Sequence, residues 1–292
     1  MEENKNAEKM GKNLATSTYP IQMPKTILIT GCSSGFGFLS ALEFAGRGYK
    51  VFATMRNPES LGGKKLKEIA QDKKLDLSVM QLDVKDELDV KTVVNSISNN
   101  NPIDILVNNA AYGYISTIED IDITKFTEQI ETNLLGAVRL IKAVLPQMKA
   151  RKSGKIINLG SILSFINIPK YGPYSSTKHA LESLSLTADM ELAKYNVRSI
   201  MVDPGSFPTN FSKNKVDNAS ALNEKTFDYD KLVNSKSTYV SRLIFKIAEM
   251  ETPNPKYLAG ADSRFGALLE KVLPTSTFYK LLNYYTSNFK KD

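Results

Sequence analysis

Cysteine and histidine are almost missing from the 292 residues: there is one of each, Cys32 and His179. One cysteine closes no internal disulfide, and the pair supplies too few ligands for a structural zinc site or for metal catalysis. The natural reading of such a chain is a reducing, cytoplasmic compartment. His179 directly follows Lys178 in a stretch of helical period. It therefore points to a different helix face from its neighbour, and a Ser-His-Asp hydrolase is left without a base. Long apolar runs are missing too. The first twenty or so residues mix charges with polar side chains and lack the apolar core of a signal peptide, and no run approaches the ~18 apolar residues of a bilayer span. Residues 1–24 read as a flexible tail, and any membrane contact would be peripheral. Acid is in shorter supply than base, 31 Asp and Glu against 38 Lys and Arg, for a net charge of +7. That excess suits an anionic ligand, an acidic membrane surface or simple solubility. The lysines do not gather into a nucleic-acid motif, so no nucleic-acid partner is expected. No internal repeat is found.

What is present is 42% hydrophobic residues, enough to fill a sizeable core. From Lys25 onward, short β-branched runs alternate with longer segments of helical period. Such an alternation predicts a parallel sheet covered by helices. Seven runs read as strands: Thr26 to Thr30, Lys50 to Thr54, Leu77 to Leu82, Ile103 to Asn108, Lys155 to Gly160, Val197 to Val202 and Tyr257 to Gly260. No Pro/Gly/Ser linker interrupts them as far as Asn210, so residues 25–292 read as one doubly wound α/β catalytic domain with helices on both faces. A polar stretch at about 212–239 follows the sixth strand and reads as a substrate lid or as a surface excursion without a role. The C-terminal segment carries apolar residues at roughly helical spacing with lysines interleaved and Pro274 breaking it. A helix over the substrate cleft, a subunit contact and a membrane-surface helix all remain open for it.

The first strand runs into Thr-Gly-Cys-Ser-Ser-Gly-Phe-Gly, with Gly31, Gly35 and Gly37 ahead of a helical segment. Glycines there permit a tight bend, a bare surface for a pyrophosphate and close helix-on-strand packing, and the helix start offers free N–H groups to phosphate. An acidic residue at the end of the second strand would hold the ribose 2′-hydroxyl of NAD. None is there. Arg56 stands in that loop and, helped by Ser33 or Ser34, would neutralise the 2′-phosphate of NADP(H), with NAD(H) the less favoured alternative. Asp83, ending the third strand with Val84, would accept from the adenine amino group, and Asn109 and Ala110 would flank the adenosine. Cys32, inside the turn, reads as buried against the cofactor rather than as a nucleophile.

Among thirteen tyrosines, Tyr174 has Lys178 four residues on within a helical segment, which places both on one face. A phenol titrates near 10 and becomes a useful acid-base group when a cation stabilises its phenolate. Ser161, just past the fifth strand, would orient a reacting oxygen toward Tyr174, with Ser164 as a rival. The set TGCSSGFG, Asn-Asn-Ala, Ser161, Tyr174, Lys178 and Pro204-Gly205 resembles the short-chain dehydrogenase/reductase family. The likeness runs on motifs from Lys25 to Phe211 and on length to the C-terminus. It implies a Rossmann-type fold in which Tyr174 is the acid-base residue, Lys178 also binds the nicotinamide ribose, and Ser161 orients the carbonyl. Asn133 would hold a water in the proton relay, and Pro204, Gly205, Phe207 and Thr209 would lie beside the nicotinamide, with Phe36 in the phosphate turn. Ala111 stands where the family has glycine, which removes no catalytic atom. The turn and the following Val-Phe-Ala-Thr-Met-Arg are similar to the branch of hydroxysteroid and retinol dehydrogenases. That branch implies a hydrophobic steroid-, retinoid- or similar carbonyl or alcohol as substrate, and a homodimer or homotetramer. Rival readings are a nucleotide-binding sensor or scaffold without turnover and a reductase of small or carrier-bound acyl substrates.

Overall fold

A computed structural model describes residues 24–207 and 236–288 of the chain. The expected N-terminal tail, most of the 212–239 insertion and Thr209 lie outside the described residues. The strands are β1 (Thr26–Thr30), β2 (Lys50–Met55), β3 (Leu77–Gln81), β4 (Ile103–Asn108), β5 (Gly154–Leu159), β6 (Val197–Pro204) and β7 (Lys256–Ala259). They form one seven-stranded sheet in the order β3-β2-β1-β4-β5-β6-β7, parallel throughout. Chain order reverses between β1 and β4, so a crevice opens at the carboxyl ends of those two strands.

The helices are α1 (Gly35–Ala45), α2 (Leu61–Asp72), α3 (Glu87–Ser98), α4 (Ile123–Ile130), α5 (Gly136–Arg151), α6 (Gly172–Leu192), α7 (Thr238–Glu249), α8 (Ala261–Val272) and α9 (Thr275–Asn288). They cover both faces. Ile27, Ile29, Val51 and Ala53 pack with Phe38 and Phe44 of α1, Leu66 of α2 and Ile244 and Ile247 of α7. On the opposite face Leu28, Phe52, Leu106 and Ile156 meet Val90, Val94 and Ile97 of α3 and Leu140 and Val144 of α5. This is why β1, β2 and β4 read as continuous apolar runs rather than alternating ones: both sides of each strand are buried.

Five of the seven strands differ at an end from the sequence reading by a residue or two, and β6 shows the reason. It continues past Val202 because Asp203 and Pro204 lie opposite Leu258 and Ala259 of β7. Asp and Pro are poor strand formers, so only the neighbouring strand recruits them.

Candidate active site

The strand-to-helix turn after β1 is bare by construction. Gly31 has φ +70°, and a β-carbon there would sit 2.8 Å from the Ala110 α-carbon. Ser34 precedes α1 in extended conformation without capping it, and no acidic residue occupies the first helical turn. The N–H groups at the start of α1 are thus unclaimed by the side chain that would ordinarily cap them, which fits an anionic ligand such as a pyrophosphate. Asn109 braces the turn from the next strand over: its amide nitrogen donates to Thr30 O at 2.7 Å and Gly31 O at 3.1 Å. The Thr30 hydroxyl oxygen accepts from the backbone N–H groups of both Asn109 and Ala110. Cys32 is fully buried, and burial pushes its thiol far above its ordinary range.

The remaining nucleotide-site candidates lie just past the ends of β2, β3 and β6. Arg56 is exposed just past β2. Asp83 is half-buried after β3, its carboxylate accepting from the Lys85 N–H at 3.0 Å, and Val84 packs beneath Gly136 at the head of α5. Beyond β6, Gly205 donates to Ala259 O at 2.8 Å and Ser206 donates to Asp262 Oδ2 at 2.6 Å, so α8 clamps the Pro204-Gly205 turn. Phe207 stands edge-on to Phe36 with ring centroids 5.9 Å apart, closing that side of the turn.

Four side chains from three elements meet beside this crevice. Tyr174, in the first turn of α6, is 4% exposed, and its hydroxyl is hydrogen-bonded to Ser161. Lys178, one turn later and 3% exposed, donates to Leu159 O at 2.7 Å and stands 5.8 Å from the Tyr174 ring. Burial lowers the lysine to about 8, opposed by the charge of Asp203. Burial also raises the phenol, partly offset by the Ser161 bond, so the phenol is held protonated. Ser161 caps a short 3₁₀ turn (Ile162–Ser164) by accepting from Leu163 N at 3.1 Å. Ser164, its rival in sequence, accepts from the Ser161 N–H at 3.0 Å and so lies behind it.

Asn133 occupies a π-helical turn, Glu131–Leu135, between α4 and α5. Its amide grips both backbone groups of Tyr112, accepting at 3.0 Å and donating at 2.9 Å, and donates to Thr177 Oγ1 at 3.2 Å. A cavity of about 10 Å³, room for about one water, lies among Asn108, Asn133 and Lys178. Asn108 Oδ1 is buried there without a partner.

With that geometry in place, the match to a family model described as short chain dehydrogenase, over residues 25–220, is decisive. The chain belongs to the short-chain dehydrogenase family. It is an oxidoreductase, and its known relatives are varied. This dehydrogenase is 35% identical to the 3-ketodihydrosphingosine reductase of Bacteroides thetaiotaomicron over 70% of its own length and 72% of the relative's. It is 34% identical to retinol dehydrogenase 8 of Bos taurus over 76% of its length and 72% of the relative's. An alcohol dehydrogenase from Thermococcus sibiricus, solved in complex with 5-hydroxy-NADP, superposes with a TM-score of 0.66 at 27% identity, covering 80% of this chain and 95% of that one.

Two parts of the dehydrogenase site left no mark in the sequence reading. A polar ladder runs between β4, β5, α6 and β6 near the candidate catalytic residues, from Asn108 through Asn158 to Ser185 and Ser199. Asp203, fully buried, backs the serine loop. A buried Asn in the middle of an apolar strand was the available signal for the first, and an acidic residue in the last strand before Pro-Gly for the second.

Proposed function

We propose that this dehydrogenase uses NADP(H) to interconvert a carbonyl and an alcohol on an extended hydrophobic substrate, with Tyr174 as acid-base residue. The observation that carries the reading is the Ser161–Tyr174 hydrogen bond beside a buried Lys178. Arg56 and the uncapped helix start suit a dinucleotide with a 2′-phosphate, in line with the NADP analogue bound by the Thermococcus sibiricus enzyme. When bound, the nicotinamide supplies or accepts the hydride.

In the direction of reduction, the Ser161 and Tyr174 hydroxyls together grip the substrate oxygen, and Tyr174 Oη gives it a proton as negative charge develops. The Lys178 ammonium, fixed by Leu159 O, stabilises the phenolate left behind. Asn133 holds the strand-end backbone at Tyr112, and the cavity beside it provides a one-water route by which a proton returns to Lys178 and the phenolate. Apolar side chains stand beside the head of α6 and the serine loop. Ile118 lies against Gly172 at the head of α6, and Ile162 and Ile166 of the serine loop lie against Gly266 of α8. Such side chains suit an alkyl or polycyclic carbonyl better than a small polar one, and two relatives are named for 3-ketodihydrosphingosine and for retinol.

The test is oxidation of NADPH and NADH against a panel of long-chain, steroid and retinoid carbonyls. Preference for NADPH and for apolar carbonyls is expected. Tyr174→Phe should lower kcat by roughly 100-fold or more while leaving NADPH affinity unchanged. Full activity in that variant refutes the assignment.

A further inference from the structure

Behind Ser161 lies a linked set of charges, with Asp203 fully buried and Lys256 and Glu182 partly so, that the steps above do not use. Asp203 Oδ1 accepts from the Ser161 N–H at 3.1 Å and from the Ser164 hydroxyl. Asp203 Oδ2 is 3.4 Å from Lys256 Nζ on β7 and has no hydrogen-bond partner. Lys256 in turn donates to Glu182 Oε1 at 2.6 Å and stands over the Phe165 ring at 4.5 Å. Glu182 follows Tyr174 and Lys178 at the same four-residue interval, on one side of α6. One connected network therefore holds the serine loop at one end and the tyrosine-lysine helix at the other. Room for it depends on Gly160, where any β-carbon would collide with the Asp203 carboxylate and come within 2.7 Å of Ser164 Oγ.

Hydrogen-bond satisfaction does not require the carboxylate. Ser164 Oγ already accepts from the Ser161 N–H, and a buried carboxylate with one oxygen unbonded is an expensive way to brace a loop. The charge itself is the feature that needs a reason.

We propose that Asp203 is a positioning residue: its ionised carboxylate fixes Ser161 against the Tyr174 hydroxyl, and its protonation releases the serine loop and slows the reaction. The proposal rests on the reductase reading above. Burial raises Asp203 to about 6 against the pull of Lys256, so the change falls at mildly acidic pH. Groups facing it from every neighbouring element are Ser161 and Ser164 of the loop, Tyr174, Lys178 and Glu182 of α6, Lys256 of β7, and Ser263 of α8, whose hydroxyl donates to Asp203 O at 3.0 Å. Ionised Asp203 also favours the charged form of Lys178, so its protonation weakens the cation beside the phenol.

The test has one readout that needs no turnover and one that does. In protein labelled with ¹⁵N-serine, the Ser161 amide resonance should move with a midpoint near the Asp203 value of about 6. The movement should vanish in Asp203→Asn, and its midpoint should rise by about one pH unit in Lys256→Met, which removes the nearby cation. The acid limb of kcat should follow the same pattern, with kcat for Asp203→Asn lower by roughly tenfold and NADPH affinity unchanged. Lys256→Met, at a partly exposed site, carries the test if Asp203→Asn does not fold. A Ser161 amide that does not respond to pH, or an acid limb identical in all three proteins, overturns the proposal. A titrating amide in a wild-type protein that reduces no carbonyl overturns the reductase reading instead and leaves the protonation linkage standing.

Discussion

Replacing Asn158 by leucine tests whether the polar ladder near the candidate catalytic residues stabilises the sheet. Asn158 is fully buried, one residue from the end of β5. Its Oδ1 accepts from Asn108 Nδ2 at 2.9 Å, and its Nδ2 donates to Ser185 Oγ at 2.9 Å and Ser199 Oγ at 3.3 Å. Leucine has a similar shape but breaks all three bonds. The Asn108 amide, whose oxygen already lacks a partner, is left with none, at about 1–3 kcal/mol. The two serines still bond each other at 3.1 Å, so each loses only part of its satisfaction, about 1 kcal/mol apiece. Greater apolar burial returns about 1–2 kcal/mol, leaving a net loss of roughly 1–4 kcal/mol. The assay is urea unfolding followed by far-ultraviolet circular dichroism, since the chain has no tryptophan to report by fluorescence. Asn108→Leu combined with Asn158→Leu should cost less than the sum of the single changes, because no orphaned amide remains. A single variant within about 1 kcal/mol of wild type, or strict additivity in the pair, would refute the reasoning.

Asp203→Asn should raise the thermal midpoint at neutral pH even as it slows turnover. The folded-state pKa lies above the ordinary 3.8, so the ionised carboxylate costs stability above about 6, and that cost fades as pH falls toward 3.8. The advantage of the variant, at most roughly 3 kcal/mol, should therefore disappear on acidification; a variant less stable than wild type at neutral pH contradicts this. Cys32 should resist alkylation in the native protein and react at once in urea, because burial holds it as the thiol; fast labelling of the native protein counts against the packed turn. Arg56→Ala should weaken NADPH roughly ten- to a hundredfold and leave NADH nearly unaffected, measured as KM for each; equal effects on both would remove Arg56 from the 2′-phosphate.

The strand and helix order was legible in the chain because it rests on local signals. Runs such as Thr26 to Thr30 and Ile103 to Asn108 stand in the structure with the bounds read from their β-branched content. The glycine turn and the Tyr174–Lys178 pair were legible for the same reason: a strand-to-helix bend and a helix face are set by residues within a few positions of each other. What the chain could not disclose are pairings between distant residues. The sequence favours Ser161 over Ser164 through the family resemblance alone; in the structure Asp203, forty-two positions away, accepts from the Ser161 N–H and from the Ser164 hydroxyl, which lies behind Ser161. Asn108 and Asn158 meet across fifty positions, and Lys256 and Glu182 across seventy-four. The π turn at Asn133 likewise shows no local pattern, and from it the amide bonds Tyr112, twenty-one positions away. Sequence alone determined the order of elements and the chemistry of the individual groups; the tertiary structure decided which polar groups share a buried space, because burial, and the need to satisfy every donor and acceptor within it, is a property of the packed sheet rather than of any one segment.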